Sequence, residues 1–85
     1  MLPTLLIVDD ERATREGLRS ALDEDFEVYT ASSNSEAMAI LKTEPIQLLL
    51  TDLRLGGDSG MDLIDAAAKL PEPPVTLMMT AYGSV

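Results

Sequence analysis

Two short, uninterrupted apolar runs that end in aspartate constrain the fold of this chain more than any other feature. The run Leu5 to Val8 precedes Asp9 and Asp10, and the run Leu48 to Thr51 precedes Asp52. Because apolar residues are continuous in both runs, each is predicted to be a strand buried on both faces, as in a parallel sheet. Open α/β sheets place their chemistry at the carboxyl ends of such strands. Asp52, followed by a glycine-rich stretch, is therefore the first candidate for a functional residue.

The rest of the chain predicts three helices and two further strands. Ser33-x-x-Glu36 and Ser59-x-x-Asp62 are capping patterns that open the second and third helices. Gly17 inside the first helix costs about 1 kcal/mol relative to alanine, and close packing on the sheet is its expected reason. Phe26 to Thr30 alternates as a half-buried edge strand, and Val75 to Met79 is predicted to be the last buried strand. The residues predicted to face inward on the helices are Ala13, Gly17, Leu18, Ala21 and Leu22; Ala37, Met38, Ile40 and Leu41; and Met61, Ile64, Ala67 and Ala68.

The order of these elements is βαβαβαβ, which predicts an α/β fold with one parallel sheet and right-handed crossovers. The sequence stops after the fourth strand, so residues 1–85 are expected to form one incomplete domain. A strand this apolar at a sheet edge exposes unpaired backbone groups and bare side chains. We therefore expect self-association through residues 75–80, or easy unfolding.

Composition excludes several classes of function. The 85 residues carry a formal net charge of -9, which disfavours nucleic-acid binding by this segment. There is no cysteine and no histidine, so disulfides, thiolate chemistry and zinc–thiolate sites are excluded. No apolar run reaches membrane-spanning length and no secretory leader pattern is visible, so a cytoplasmic location is predicted.

The carboxyl ends of parallel strands share one edge of the sheet, which collects Asp9, Asp10, Asp52 and Thr80. If the first and third strands are neighbours, about 4.8 Å apart, three carboxylates lie within a few Å. Their repulsion is most simply relieved by a cation bound through oxygens, and this donor set favours Mg²⁺ (or Mn²⁺). Such a site suits phosphoryl transfer, with an ionised carboxylate as nucleophile. The Thr80 hydroxyl is placed to hydrogen-bond a phosphoryl oxygen.

Three motifs now carry a resemblance to a known family. They are LLIVDDE (Leu5 to Glu11), LLLTDLRLGGDSGMDLI (Leu48 to Ile64) and MMTAYGSV (Met78 to Val85). The sequence resembles the receiver (CheY-like) domain of two-component response regulators, and is most similar to the NtrC-like branch of sigma-N-dependent activators. The resemblance implies a flavodoxin-like, three-layer parallel sheet of strand order 2-1-3-4. It also implies that the last strand and helices of the family lie beyond residue 85.

The resemblance further implies a role for each site residue. Asp52 is the phospho-acceptor, phosphorylated by a sensor histidine kinase in a Mg²⁺-dependent reaction that switches an output domain beyond residue 85. Asp10 binds Mg²⁺ directly, Asp9 acts mainly through water, and the backbone carbonyl of Arg54 completes the protein ligands. Thr80 is the switch hydroxyl. Such a domain catalyses its own phosphorylation and is not a turnover enzyme.

Departures from the family leave alternatives open. Gly56 and Leu55 stand where the family usually has proline and methionine, which predicts a looser loop beside the nucleophile. The family's lysine and aromatic switch residue have no counterpart in these residues. A receiver-like interaction module that works without phosphorylation is therefore the main alternative. A Mg²⁺-dependent phosphatase is a weaker one, because Arg54 occupies the place of that class's second acid.

Overall fold

The computed structural model describes residues 1–55 and 57–79, apart from the side chains of residues 54, 55 and 58. In chain order the elements are β1 (Thr4–Val8), α1 (Arg12–Leu22), β2 (Glu27–Ala31), α2 (Asn34–Thr43), β3 (Leu48–Asp52), β4 (Arg54–Leu55), β5 (Asp58–Ser59), α3 (Gly60–Ala68) and β6 (Val75–Met79). Four strands form a parallel sheet in the order β2-β1-β3-β6. The predicted α/β fold is therefore confirmed. The predicted strand order 2-1-3-4 is confirmed as well, since β6 is the fourth strand of the parallel sheet. The antiparallel hairpin of β4 and β5 was not predicted.

One face of the sheet is covered by α2 and α3 over β1 and β3. Alternate residues of β1 and β3 point to this face, because side chains alternate along a strand. Leu6, Val8 and Leu49 are each 0% exposed there. Burying a leucine or valine of this kind stabilises the fold by about 1.5–3 kcal/mol. The helical residues that complete this core are Ala37 and Leu41 of α2 and Leu63 and Ala67 of α3.

The opposite face is covered only in part, because α1 packs on β1 and β2. Residues aligned across a parallel sheet lie on the same face, and one such row runs from Leu5 through Leu48 to Val75. Leu5 is 3% exposed, Leu48 is half-buried and Val75 is 63% exposed. Leu77 of β6 is 51% exposed. The predictions that β3 is buried on both faces and that β6 is a buried strand are therefore wrong, whereas the expected exposure of apolar side chains on β6 is found. No described helix covers that side of the two strands.

The second and third helices begin at the predicted caps, but the inward faces of the helices differ in part from the prediction. No residue of α1, a helix described in full, is buried, and Leu18 and Leu22 are only half-buried. Nothing lies within 4 Å of a Cβ built on Gly17, so its predicted packing on the sheet is wrong. In α3, Leu63 takes the inward position instead of Met61, which is 47% exposed. The residues predicted to face inward that the structure leaves exposed are Ala13, Gly17, Ala21, Met61 and Ala68.

Both predicted helix caps are present. The Ser33 hydroxyl accepts a hydrogen bond from the Glu36 N–H at 3.2 Å, and the Glu36 carboxylate accepts one from the Ser32 N–H at 2.7 Å. Ser59 caps α3 by accepting from the Met61 N–H at 3.2 Å. These bonds satisfy N–H groups that a helix start leaves without intrahelical partners, so both start points are fixed locally.

The amino-terminal ends of β1 and β3 are joined by a reciprocal pair of hydrogen bonds. The Thr4 N–H donates to Gln47 Oε1 at 3.1 Å, and the Gln47 N–H donates to the Thr4 hydroxyl at 2.9 Å. A one-residue slip between strands would turn every side chain to the other face, so this pair helps to fix the register. None of the helices in the described ranges is long and apolar enough to cross a membrane.

Candidate functional site

The carboxyl ends of β1 and β3 lie side by side. The two strands are parallel neighbours, and Val8 of β1 is aligned with Thr51 of β3. Asp9 and Asp52 follow these residues directly, so their backbones meet at the same edge, about 4.8 Å apart as neighbouring strands are. Asp10 comes next in the chain and is exposed. The adjacency on which the predicted carboxylate site depends is therefore present.

Asp9 is held by three hydrogen bonds to its surroundings. It is only 3% exposed, and its N–H donates to the Ala31 carbonyl of β2 at 3.1 Å. Its carboxylate Oδ1 accepts from the Glu11 N–H at 2.9 Å, just before α1 begins. Its carbonyl accepts from Nη1 of Arg15 at 2.8 Å. Asp9 therefore ties the end of β1 to the start of α1, and leaves Asp10 as the acid that faces solvent.

Asp52 is half-buried and its backbone is closely confined. The hydroxyl of Thr51, which is 0% exposed, donates to the Asp52 carbonyl at 3.0 Å. The Gly60 N–H donates to the Leu53 carbonyl at 2.8 Å, which brings the start of α3 against the end of β3. A Cβ added to Gly60 would collide with the Asp52 carbonyl oxygen and lie 2.9 Å from its carbonyl carbon. Only glycine permits this approach.

The β4–β5 hairpin connects Asp52 to α3, and α2 holds its far end. Arg54 is paired with Ser59 in the hairpin, so the backbone carbonyl predicted as a metal ligand belongs to an ordered strand. The side-chain amide of Asn34, at the start of α2, donates to the Ser59 carbonyl at 3.0 Å. Sequence reasoning gave no role to Asn34, Gly60 or Arg15. A glycine directly after a helix N-cap was the available signal for Gly60, whereas nothing local marked the other two.

The donor chemistry at this edge fits a hard cation. Asp10 and Asp52 offer carboxylate oxygens at the ends of neighbouring strands, and Arg54 offers a backbone carbonyl. Mg²⁺ typically takes one or two carboxylates and fills its octahedron with other oxygens. The expected group of three carboxylates is not found, since within residues 1–55 and 57–79 no three acidic side chains come close enough together to hold a metal. The Asp9 carboxylate is already bonded to Glu11, which is consistent with an indirect role for it.

One predicted functional residue, the expected switch hydroxyl Thr80, lies outside the described residues, as does Gly56 in the loop beside Asp52. A groove of about 1020 Å³ lies at the other end of the sheet, where its lining includes Pro45 and Val75. None of the candidate acids lines that groove. The candidate acids therefore lie at the opposite end of the sheet from this groove.

Comparison with known proteins identifies the family. The family model for the response regulator receiver domain matches residues 5–85. The chain belongs to this family. Over 93% of its length, this receiver chain is 35% identical to the hydrogenase transcriptional regulatory protein HoxA of Cupriavidus necator. Over 94% of its length, it is 43% identical to the response regulator protein PilR of Pseudomonas aeruginosa. The predicted resemblance to receivers of the NtrC-like activator branch is confirmed.

Solved structures give the same result for the fold. The receiver chain superposes on a CheY-like response regulator receiver domain from Methanospirillum hungatei with a TM-score of 0.89 and 32% sequence identity. The match covers 100% of this chain and 69% of that one. The chain spans 16% of the length of HoxA and 18% of the length of PilR. Receiver domains are signalling modules and not turnover enzymes.

Proposed function

We propose that this receiver domain is phosphorylated on Asp52 by a sensor histidine kinase, in a Mg²⁺-dependent reaction. The observation that carries the proposal is the parallel pairing of β1 and β3, which brings Asp9 and Asp52 to the same edge with Asp10 exposed beside them. An acid at a strand end is common, but acids at two aligned strand ends in this family are the arrangement that phosphoryl transfer needs.

Asp52 is the proposed nucleophile. A carboxylate oxygen of Asp52 forms a bond to phosphorus while the bond from phosphorus to the imidazole nitrogen of the kinase's phosphohistidine breaks. The electron pair of the broken bond returns to that nitrogen. The protein's contribution is positioning, because the Asp52 backbone is confined by the Thr51 hydroxyl and by Gly60. Holding two reacting groups in line supplies a large part of the rate of such transfers.

Receiver domains in general bind Mg²⁺ at their phosphorylation site. In this chain Asp10, Asp52 and the backbone carbonyl of Arg54 would hold the ion, with Asp9 acting through water. When bound, the ion neutralises negative charge on the transferring group. This chain needs that neutralisation, since its formal net charge is -9 and the acceptor edge is acidic. Thr80 is the proposed hydroxyl partner of the phosphoryl oxygens once they arrive.

The experiment is incubation of the purified protein with acetyl phosphate and Mg²⁺, followed by intact-protein mass spectrometry. The expected result is the added mass of one phosphoryl group, lost in Asp52→Asn and when Mg²⁺ is removed by chelation. Asp62→Asn is the matched control, because it removes the same charge from an exposed first-turn position of α3. Unchanged phosphoryl uptake by Asp52→Asn would refute the assignment.

The wider context follows from the same proposal. The partners are the sensor kinase upstream and an output domain whose activity, in transcription, is switched by phosphorylation. The proposed location is cytoplasmic. Residues 1–85 correspond, on this proposal, to a receiver domain through its fourth parallel strand, since they cover 69% of the solved receiver from Methanospirillum hungatei.

A phosphorylation-independent interaction module is the second candidate, and one observation favours it. Val75, Leu77 and Met78 of the edge strand β6 are 63%, 51% and 40% exposed. Val75 and Leu77 lie on one face of this strand and Met78 on the other, and these exposed apolar side chains suit contact with another protein or with a second copy of the chain. Chemical-shift changes in the Asp10 and Asp52 amides on adding Mg²⁺ and beryllofluoride would argue against this candidate, since an interaction module has no need of them.

A further inference from the structure

We infer that Asn34 is a positioning residue for the phosphoryl-acceptor end of β3, and that it acts through Ser59 and Gly60. The inference rests on the proposed function of Asp52. It assigns to the start of α2 a direct part in holding the acceptor loop, which is the β4–β5 hairpin that follows Asp52.

Asn34 projects from a firmly held point. It is the first residue of α2, and Ser33 before it caps the helix by accepting from the Glu36 N–H at 3.2 Å. Glu36 in turn accepts from the Ser32 N–H at 2.7 Å. One turn further on, Ala37 is 0% exposed in the core. The amide of Asn34 is therefore presented by a helix start that is fixed independently of the acceptor loop.

The Asn34 amide holds the junction between the hairpin and α3. Its Nδ2 donates to the Ser59 carbonyl at 3.0 Å, across 25 positions of sequence. Ser59 pairs with Arg54 in the hairpin, and its hydroxyl accepts from the Met61 N–H at 3.2 Å. Ser59 thus belongs to the hairpin and caps the helix, and the Asn34 bond fixes it relative to α2.

Gly60, the residue after Ser59, links the position of Ser59 to that of the proposed nucleophile Asp52. Gly60 donates its N–H to the Leu53 carbonyl at 2.8 Å, and its Cα packs against the Asp52 carbonyl with no room for a Cβ. A shift of Ser59 would therefore move Gly60, and a shift of Gly60 would displace or release the backbone of Asp52 and Leu53. Because small misplacements of a reacting group slow a transfer strongly, loss of the Asn34 bond should slow phosphoryl uptake about tenfold.

Two variants of Asn34 separate this role from general stability. Asn34→Asp removes the donor but places a carboxylate at a helix N-terminus, where it stabilises the helix. Asn34→Ala removes the donor without adding charge. Ala39→Glu is the control, because it adds the same charge at an exposed position of α2 that has no part in the acceptor site.

The first measurement is the rate constant of phosphoryl uptake from acetyl phosphate at saturating Mg²⁺, with urea midpoints measured on the same preparations. The expected result is a rate reduced about tenfold in both Asn34 variants and unchanged in Ala39→Glu, under conditions where all three are folded. A rate within twofold of the original in Asn34→Ala would overturn the inference. So would a loss in the control as large as the loss in the Asn34 variants.

The second measurement does not depend on phosphorylation. Amide hydrogen exchange at Gly60 reports its bond to the Leu53 carbonyl, and we expect exchange at least threefold faster in both Asn34 variants than in the control. If the original protein takes up no phosphoryl group, the proposed function fails while this measurement still tests the Asn34 contact. Equal Gly60 exchange in all variants would remove the physical basis of the inference.

Discussion

Two glycines in helices should respond to the same substitution with opposite signs. Gly60 begins α3 and Gly17 lies inside α1. A Cβ at Gly60 would lie 2.9 Å from the Asp52 carbonyl carbon and 3.0 Å from the Leu53 Cα, closer than ordinary van der Waals contact. A Cβ at Gly17 meets nothing within 4 Å. Comparing Gly60→Ala with Gly17→Ala therefore isolates the effect of steric collision on stability, since both substitutions add the same methyl group.

The expected magnitudes follow from these contacts. Forcing an extra carbon into a packed position costs about 1–3 kcal/mol, and the opposing atoms at Gly60 are backbone, which cannot rotate away. Alanine recovers at most about 1 kcal/mol of helix propensity, and less at a first helical position. Gly60→Ala should therefore destabilise the protein by about 1–3 kcal/mol. Gly17→Ala should stabilise it by about 0.5–1 kcal/mol.

Urea unfolding followed by circular dichroism measures both effects. With an m-value of about 1 kcal/mol/M, the midpoint should fall by about 1–3 M in Gly60→Ala and rise by about 0.5–1 M in Gly17→Ala. The folded fraction of Gly60→Ala should also take up phosphate from acetyl phosphate more slowly, because Asp52 is displaced. A Gly60→Ala midpoint equal to or above that of the original protein would refute the steric reasoning.

Three further predictions concern the helix cap, a tyrosine and the edge strand. Ser33→Ala should lower the unfolding free energy by about 0.5–2 kcal/mol, because the Glu36 N–H loses its acceptor, whereas Ser20→Ala on the exposed side of α1 should change urea unfolding little. The pKa of Tyr29 is raised above 10.0 by desolvation and by Glu27 and Glu44, so the unfolded state releases this proton first and stability falls as pH rises above 10.0. Tyr29→Phe should abolish the part of the fall in stability that comes from this proton. Urea midpoints that change with pH in parallel for both proteins between pH 9 and 11 would contradict this prediction. Leu77→Lys should weaken concentration-dependent association of the protein, measured by sedimentation, without lowering the urea midpoint, since Leu77 is 51% exposed. Unchanged association would exclude the exposed side chains of β6 as the contact.

The sequence was sufficient to predict the sheet and the edge where the acids meet. Continuous apolar runs and βαβ order predict a parallel sheet, because right-handed crossovers join such strands and place helices on the faces of the sheet. The Ser33 and Ser59 caps were predictable for a similar reason, since capping depends on residues only a few positions apart. Asp9 and Asp52 at one edge then follow from topology alone.

The sequence could not predict how much of each sheet face is covered by helices, or which residues far apart in the chain contact each other. Gly17 and Leu48 looked like packed residues, but how much of a face is covered depends on which elements lie over it. Asn34 reaches Ser59 across 25 positions, and no periodicity signals a single side-chain bond of that kind. The approach of Gly60 to Asp52 likewise depends on how the hairpin returns the chain to the sheet.

The two hydrogen bonds between Thr4 and Gln47 fix where β1 and β3 start relative to each other. Asp9 lies five residues beyond Thr4 and Asp52 five residues beyond Gln47, and both strands rise about 3.3 Å per residue. The two acids are therefore brought level about 16 Å away from the residues that align them. An insertion of one residue in either strand would place one acid further along the strand direction than the other, even if each acid kept its own hydrogen bonds. The alignment of the two acids at one edge of the sheet therefore depends on the hydrogen bonds at the opposite edge.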